Sequence, residues 1–87
     1  MDLNERPVQI EGLDITEVED GLVVYDPTAR RVHHLNVTAV LVFELSTGEN
    51  TVADMVAVTQ RVFGLAEPPQ DDVEAAIAKL REERIIA

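Results

Sequence analysis

The sequence predicts an α+β domain of winged helix-turn-helix-like arrangement, with a three-stranded antiparallel sheet followed by three helices. Three observations carry this expectation. β-rich runs broken by turn signals fill residues 13–35. A nearly all-apolar segment follows a capping asparagine at position 36. Two further segments carry apolar residues at helical spacing behind acidic first turns.

Residues 1–12 are polar and contain Pro7 and Gly12, so they read as an N-terminal arm, either weakly ordered or forming a short leading strand. The domain proper is expected over 13–87. LDITEV (13–18) is the first strand. Asp20-Gly21 follows as a hairpin signal, since a primed turn needs residues that tolerate positive φ. GLVVYD (21–26) is the second strand. Asp26-Pro27-Thr28 opens a second turn, with Pro27 presetting φ. Arg31 to Leu35 is the third strand.

Asn36 is placed to accept a bond from a free N–H of the first helical turn. The helix behind it, 37–46, holds several β-branched residues, so burial rather than propensity must stabilise it. Gly48 suits its C-terminal end. Thr51 and Asp54 form a capping-box pattern with Asp in place of Glu or Gln, opening a helix over 52–63. Val52, Met55, Val56, Thr59 and Phe63 lie on one stripe of it. Gly64 is expected to close it, and Pro68-Pro69 marks the next loop. The third helix spans 70–83, with Asp71 and Asp72 at its positive end and Lys79, Arg81 and Arg84 near its negative end. Val73, Ala76, Ile77 and Leu80 share a face, and Ile85-Ile86 packs back on the core.

Composition bounds the function. The 87 residues suit one domain with little room for a large catalytic cleft. Aromatics are 3% of the chain, so the core falls to Val, Leu, Ile and Ala, with Phe43 and Phe63 as its large pieces. The formal net charge of −10 opposes binding to a phosphate backbone. With no cysteine, thiolate catalysis, disulfides and Cys-based metal sites are excluded. No stretch approaches the ~20 apolar residues that span a bilayer, and MDLNERPVQIEG holds no apolar signal segment. The expected location is the cytoplasm.

The run RVHHLNVTAVLVFELSTGENTVADM (31–55) resembles the PqqD family, also known as RiPP precursor recognition elements. The residues that carry the likeness are Leu35-Asn36, Thr38-Ala39, Phe43-Glu44-Leu45, Gly48 and Thr51-Val52. It continues through Phe63-Gly64 into DVEAAIAKLREERII (72–86), and so covers roughly residues 13–86. No single element is specific, but their order is. The resemblance implies a non-enzymatic domain without cofactor that binds the leader of a ribosomally made precursor peptide. It implies that the leader adds as an antiparallel strand to the third strand and lies against the third helix. The implied partner enzyme is a radical S-adenosylmethionine protein, or a leader protease and cyclase of lasso-peptide type. Two positions depart from the family pattern. Ala76 stands where a bulky aromatic is frequent, which leaves a pocket or a repacked groove. Arg84 stands where Gly is frequent, and a side chain there disfavours a left-handed cap.

The chemistry of the strands points the same way. A three-stranded meander has two edges with unpaired N–H and C=O groups, and a disordered peptide satisfies them by adding a strand. With the third strand as the open edge, the expected peptide-binding residues are Arg30, Arg31, Val32, His33, His34 and Leu35. From the third helix they are Val73, Ala76, Ile77, Leu80 and Arg81. Five of the seven basic residues lie on these two elements or beside them, which suggests a groove less negative than its surroundings and a leader with carboxylates. The alternative is plain complementarity to the helix dipole. His33 and His34 are adjacent in a strand and point to opposite faces, so they are not expected to share a metal. One is expected against the sheet and one beside the leader. Glu17, Glu19 and Asp20 sit at a hairpin with no cleft around them. The rival readings are a winged-helix DNA-binding regulator, an acyl carrier protein and a dimeric scaffold protein. The carrier lacks its Asp-Ser-Leu serine, Ser46 being the only serine. The state expected is monomer or homodimer.

Overall fold

The computed structural model describes residues 1–87. Strands β1 (Asp14–Val18), β2 (Gly21–Asp26) and β3 (Arg31–Leu35) are followed by helices α1 (Val37–Leu45), α2 (Val52–Phe63) and α3 (Gln70–Glu82). The expected α+β order of an antiparallel sheet and then three helices is what the chain forms. The sheet order is β1-β2-β3, so β1 and β3 are both edges.

Register fixes which side chains go inward. Leu22 pairs with Leu35 and Val24 with His33, and these four are buried. The intervening pairs, Val23 with His34 and Tyr25 with Val32, occupy the opposite face, where Val32 is 65% exposed. Side-chain alternation along a strand requires this division. The core forms between the inner face and the helices. Val42 and Phe43 of α1, Val52, Met55 and Val56 of α2, Val73, Ile77 and Leu80 of α3, and the tail residues Ile85 and Ile86 all enter it.

Both turns form where the sequence places them, but the first differs in kind. Neither Glu19 nor Asp20 has positive φ, so the turn is not a primed one. Gly21 instead opens β2 at φ 157°. In the second turn Asp26 Oδ1 accepts from the N–H groups of Thr28 and Ala29 at 3.0 and 3.2 Å, and Arg30 closes it at φ 56°.

The caps follow the sequence closely at the helix starts. Asn36 Oδ1 accepts from Ala39 N–H at 3.0 Å. Thr51 and Asp54 make the full capping box, at 3.0 and 2.9 Å. The bonds from the Thr51 backbone and hydroxyl hold the Asp54 carboxyl below its usual range. The C-terminal end of α1 is not closed by Gly48. Its last carbonyls are met by Ser46 Oγ on Val42, Gln9 Nε2 on Phe43 and Asn50 Nδ2 on Leu45. Gly48 N–H bonds to Pro7 O.

One expectation about packing is corrected. Phe43 is 1% exposed, but Phe63 is 37% exposed and lies outside the core, because α2 ends where no element covers it. The N-terminal segment bonds to the helices and the C-terminal tail, in keeping with the short leading strand of the two forms expected for it. Leu3 and Glu5 carbonyls accept from Ala53 and Val52, satisfying free N–H groups of the first turn of α2. Val8 and Gln9 form bridges to Thr47 and Ile86.

Arg84 adopts the left-handed conformation that the sequence argument disfavours, at φ 60°. Arg84 N–H bonds to Arg81 O and Ile85 N–H to Leu80 O, the paired closure of a Schellman motif. The burial of Ile85 and Ile86 holds the chain in this path and overrides the preference of Arg. Arg84→Gly is therefore expected to stabilise the fold by about 1 kcal/mol, since a left-handed residue with a Cβ costs about that much. A rise in the urea midpoint at unchanged slope is the measurement that checks it.

Candidate functional site

The open edge of β3 and the exposed side of α3 face a common concavity of about 300 Å³. β3 and the start of α1 supply one wall, with His34, Leu35, Asn36, Thr38 and Ala39. α3 and its C-cap supply the other, with Asp72, Ala75, Ala76, Lys79 and Leu80 from the helix and Glu83 from the cap. α1 packs most closely against α3 among the helices, and this fixes the two walls relative to each other.

The residues expected from sequence separate into groups. His34, Leu35, Ala76 and Leu80 line the cavity. Val73 and Ile77 are fully buried in the core and support the groove from beneath. All four share an apolar stripe with Ala76 and Leu80 at its edge, and the cavity opens on the flank of that stripe. Val32 points to the outer face of the sheet. Arg81 turns toward the N-terminal segment, with Nη1 at 3.3 Å from Glu5 Oε1. Arg30 lies in the turn before β3, and Arg31 borders a separate concavity with Asp26, Ala29, Glu82, Glu83 and Arg84.

The charge expectation changes accordingly. Of the five cations on or beside β3 and α3, only Lys79 lines the main cavity, against the carboxylates of Asp72 and Glu83. The other four cations therefore give the cavity lining no direct charge, which leaves the expected less negative groove resting on Lys79 alone. A helix turns basic residues in adjacent positions to different faces, so proximity along the chain overstated their convergence.

The two histidines lie on opposite faces, as strand alternation requires. His33 is buried, and its Nδ1 meets Glu83 Oε2. With Nδ1–H donating to that carboxylate, Nε2 is a buried atom without a hydrogen-bond partner. The contact ties β3 to the C-terminal end of α3 and so sets the width of the groove at that end. His34 is exposed, 3.5 Å from Asp20 Oδ1 across the sheet end.

Sequence reasoning missed Asn36, Thr38, Ala39, Asp72, Ala75 and Glu83 as lining residues, and counted Lys79 only for its charge. Asp72, Ala75, Ala76, Lys79 and Leu80 follow the i, i+3, i+4, i+7, i+8 spacing of one helix face. That spacing is the available signal, but its small and polar residues carry no hydrophobic periodicity to mark the stripe.

A family model described as coenzyme PQQ synthesis protein D (PqqD) matches residues 21–86. The matched span includes β2, β3 and all three helices, and hence both walls of the cavity, but not β1. It begins later than the resemblance read from the sequence. No curated protein and no solved structure matches the chain. No helix is long and apolar enough to cross a membrane.

Proposed function

Because this chain belongs to the PqqD family, an accessory family that binds a precursor peptide for a modifying enzyme, we propose that it captures a leader segment by strand addition to β3. The leader would run antiparallel to Arg31–Leu35 and set alternate side chains against α3. The enzyme served would be a radical S-adenosylmethionine protein or a leader protease of lasso-peptide type. The domain itself would do no chemistry.

One observation carries this reading. The edge of β3, rather than that of β1, borders a cavity whose far wall is a helix. An added strand there gains main-chain bonds on one side and side-chain contacts on the other. Charge supports it over a DNA-binding role, since Arg61 is the only basic residue on α2 and the chain carries −10 overall.

Leader peptides encoded beside this gene supply the test. Backbone N-methylation at alternate leader positions is expected to weaken binding about tenfold per site, the equivalent of one lost main-chain bond. Methylation at the intervening positions should leave affinity nearly unchanged, because those N–H groups face away. Fluorescence polarisation measures both series. Equal tolerance at every position would rule out strand addition.

A further inference from the structure

Resting on that reading for the identity of the partner, we propose that the uncovered side of β1 is a second docking surface. It seats an extended basic segment of the modifying enzyme that carries apolar residues at alternate positions. The fold leaves this strand bare, since α1 packs against β2 and β3 and no helix packs against β1. Register sets Ile15 opposite the buried Val24, on the inner face of the sheet, yet Ile15 is 48% exposed. Beside it lies a hollow of about 420 Å³, whose apolar walls are Val8, Ile10, Leu13 and Ile15. Val8 and Ile10 are exposed as well, so water meets a joined apolar surface that the core does not use. The main-chain edge is also free, because β1 makes no backbone hydrogen bond outside its pairing with β2. All residues lining the hollow except Ser46 and Thr47 precede the family-matched span 21–86.

Local charge selects the occupant. Residues 7–29 carry six carboxylates and no Lys or Arg. Glu11 lines the hollow, and strand alternation puts Glu17 on the same face of β1 as Ile15, with Asp14 on the other. Glu11, Asp14, Glu17 and Glu19 are exposed and in none of the ion pairs. Arg6, the cation just before this stretch, is drawn off to Glu49 O. A second copy offering its own β1 would set these carboxylates against one another, and charged edges oppose such pairing. A segment alternating Lys or Arg with apolar residues fits both features. Added to β1, it turns its apolar residues to Ile15 and the hollow and its cations to the face with Asp14. β2 lies between the two edges, which strand spacing sets ~10 Å apart. A leader on β3 therefore leaves β1 open, and one domain holds substrate and enzyme on opposite edges.

Two end-blocked heptapeptides test this, one alternating Lys with Ile and the other Glu with Ile, titrated at low salt into the ¹⁵N-labelled full chain. The Lys peptide is expected to shift the amides of Ile10, Ile15 and Glu17 and to bind about fivefold or more tightly than the Glu peptide. Ile15→Glu separates the apolar seat from mere attraction, since it adds a carboxylate while removing the seat. It should weaken the Lys peptide about fivefold, whereas charge alone would tighten it. Ile10→Glu, on the other wall, should do the same with β1 unaltered. Both variants should also weaken binding of the modifying enzyme encoded beside this gene, measured by calorimetry, and leave leader affinity unchanged. Equal binding of the two peptides, shifts confined to other surfaces, or tighter binding to either variant would overturn the proposal. Self-association of the chain through Asp14–Val18 would overturn it too. Unchanged enzyme affinity in both variants would overturn it while leaving strand addition at β3 intact. Enzyme affinity lost in both, beside leaders that never engage β3, would uphold the docking surface and sink the strand-addition reading instead.

Discussion

Gly21→Ala is expected to destabilise the domain by about 3 kcal/mol or more, the range in which a steric clash with backbone falls. A Cβ at position 21 would lie 2.0 Å from the Leu35 carbonyl oxygen and 3.2 Å from its carbon. Neither atom belongs to a side chain that can rotate away. The backbone angle adds to the cost, because φ of 157° is one that residues with a side chain rarely adopt. Relief would require β2 and the end of β3 to separate. Leu35 is followed at once by the Asn36 cap of α1, and both residues border the cavity. Loss of leader affinity should therefore accompany the loss of stability. Small domains are stable by only roughly 5–15 kcal/mol in total, so equilibrium urea unfolding will register the change clearly. A shift below about 0.5 kcal/mol would mean that Gly21 does not pack against β3 as described.

Phe43→Ala is the second large effect, expected at about 3–5 kcal/mol, as for other buried phenylalanines truncated to alanine. Phe43 lies among the fully buried side chains of the core, in the helix that sets α3 against β3. The cavity left behind cannot collapse easily, because Val42, Val52 and Ile77 around the same core are β-branched and stiff. Phe63→Ala is the internal control. Its ring is 37% exposed at the end of α2, and its removal should cost less than about 1 kcal/mol. Comparable losses at the two positions would contradict the packing of α2.

The contrast between the two phenylalanines shows what a sequence can and cannot disclose. Element order, strand limits and helix starts were legible because each rests on local chemistry. Asn36, Thr51 with Asp54, and the turn at Asp26 act within a few residues of themselves. Helix ends were less so. Gly48 looked like a cap, yet the carbonyls of α1 are met by Ser46, Asn50 and the distant Gln9. Arg84 looked unfit for a left-handed cap, yet buried Ile85 and Ile86 hold it there. Both outcomes depend on tertiary partners that no local window contains.

The candidate site divides in the same way. The pairing of a β3 edge with α3 was legible from element order and family resemblance. The flank of α3 that opens to solvent was not, because periodicity identifies the buried stripe and is silent on which neighbouring stripe stays uncovered. Hence periodicity points to Val73 and Ile77, which are buried in the core, and not to Ala75 and Asp72, which line the cavity. The placing of the basic residues depends on tertiary contacts in the same way. Arg81 and Lys79 are two residues apart in sequence, but one reaches Glu5 and the other the cavity.

The two sheet edges provide the most direct test of strand addition. Both β1 and β3 present free main-chain groups, but only β3 borders the cavity. Amide hydrogen exchange, measured residue by residue with and without a leader peptide that binds, separates them. Added protection and shifted amides within Arg31–Leu35, together with shifts at Ala75 and Ala76 and none within Asp14–Val18, are the predicted result. Protection along Asp14–Val18 with Arg31–Leu35 unchanged would contradict the account.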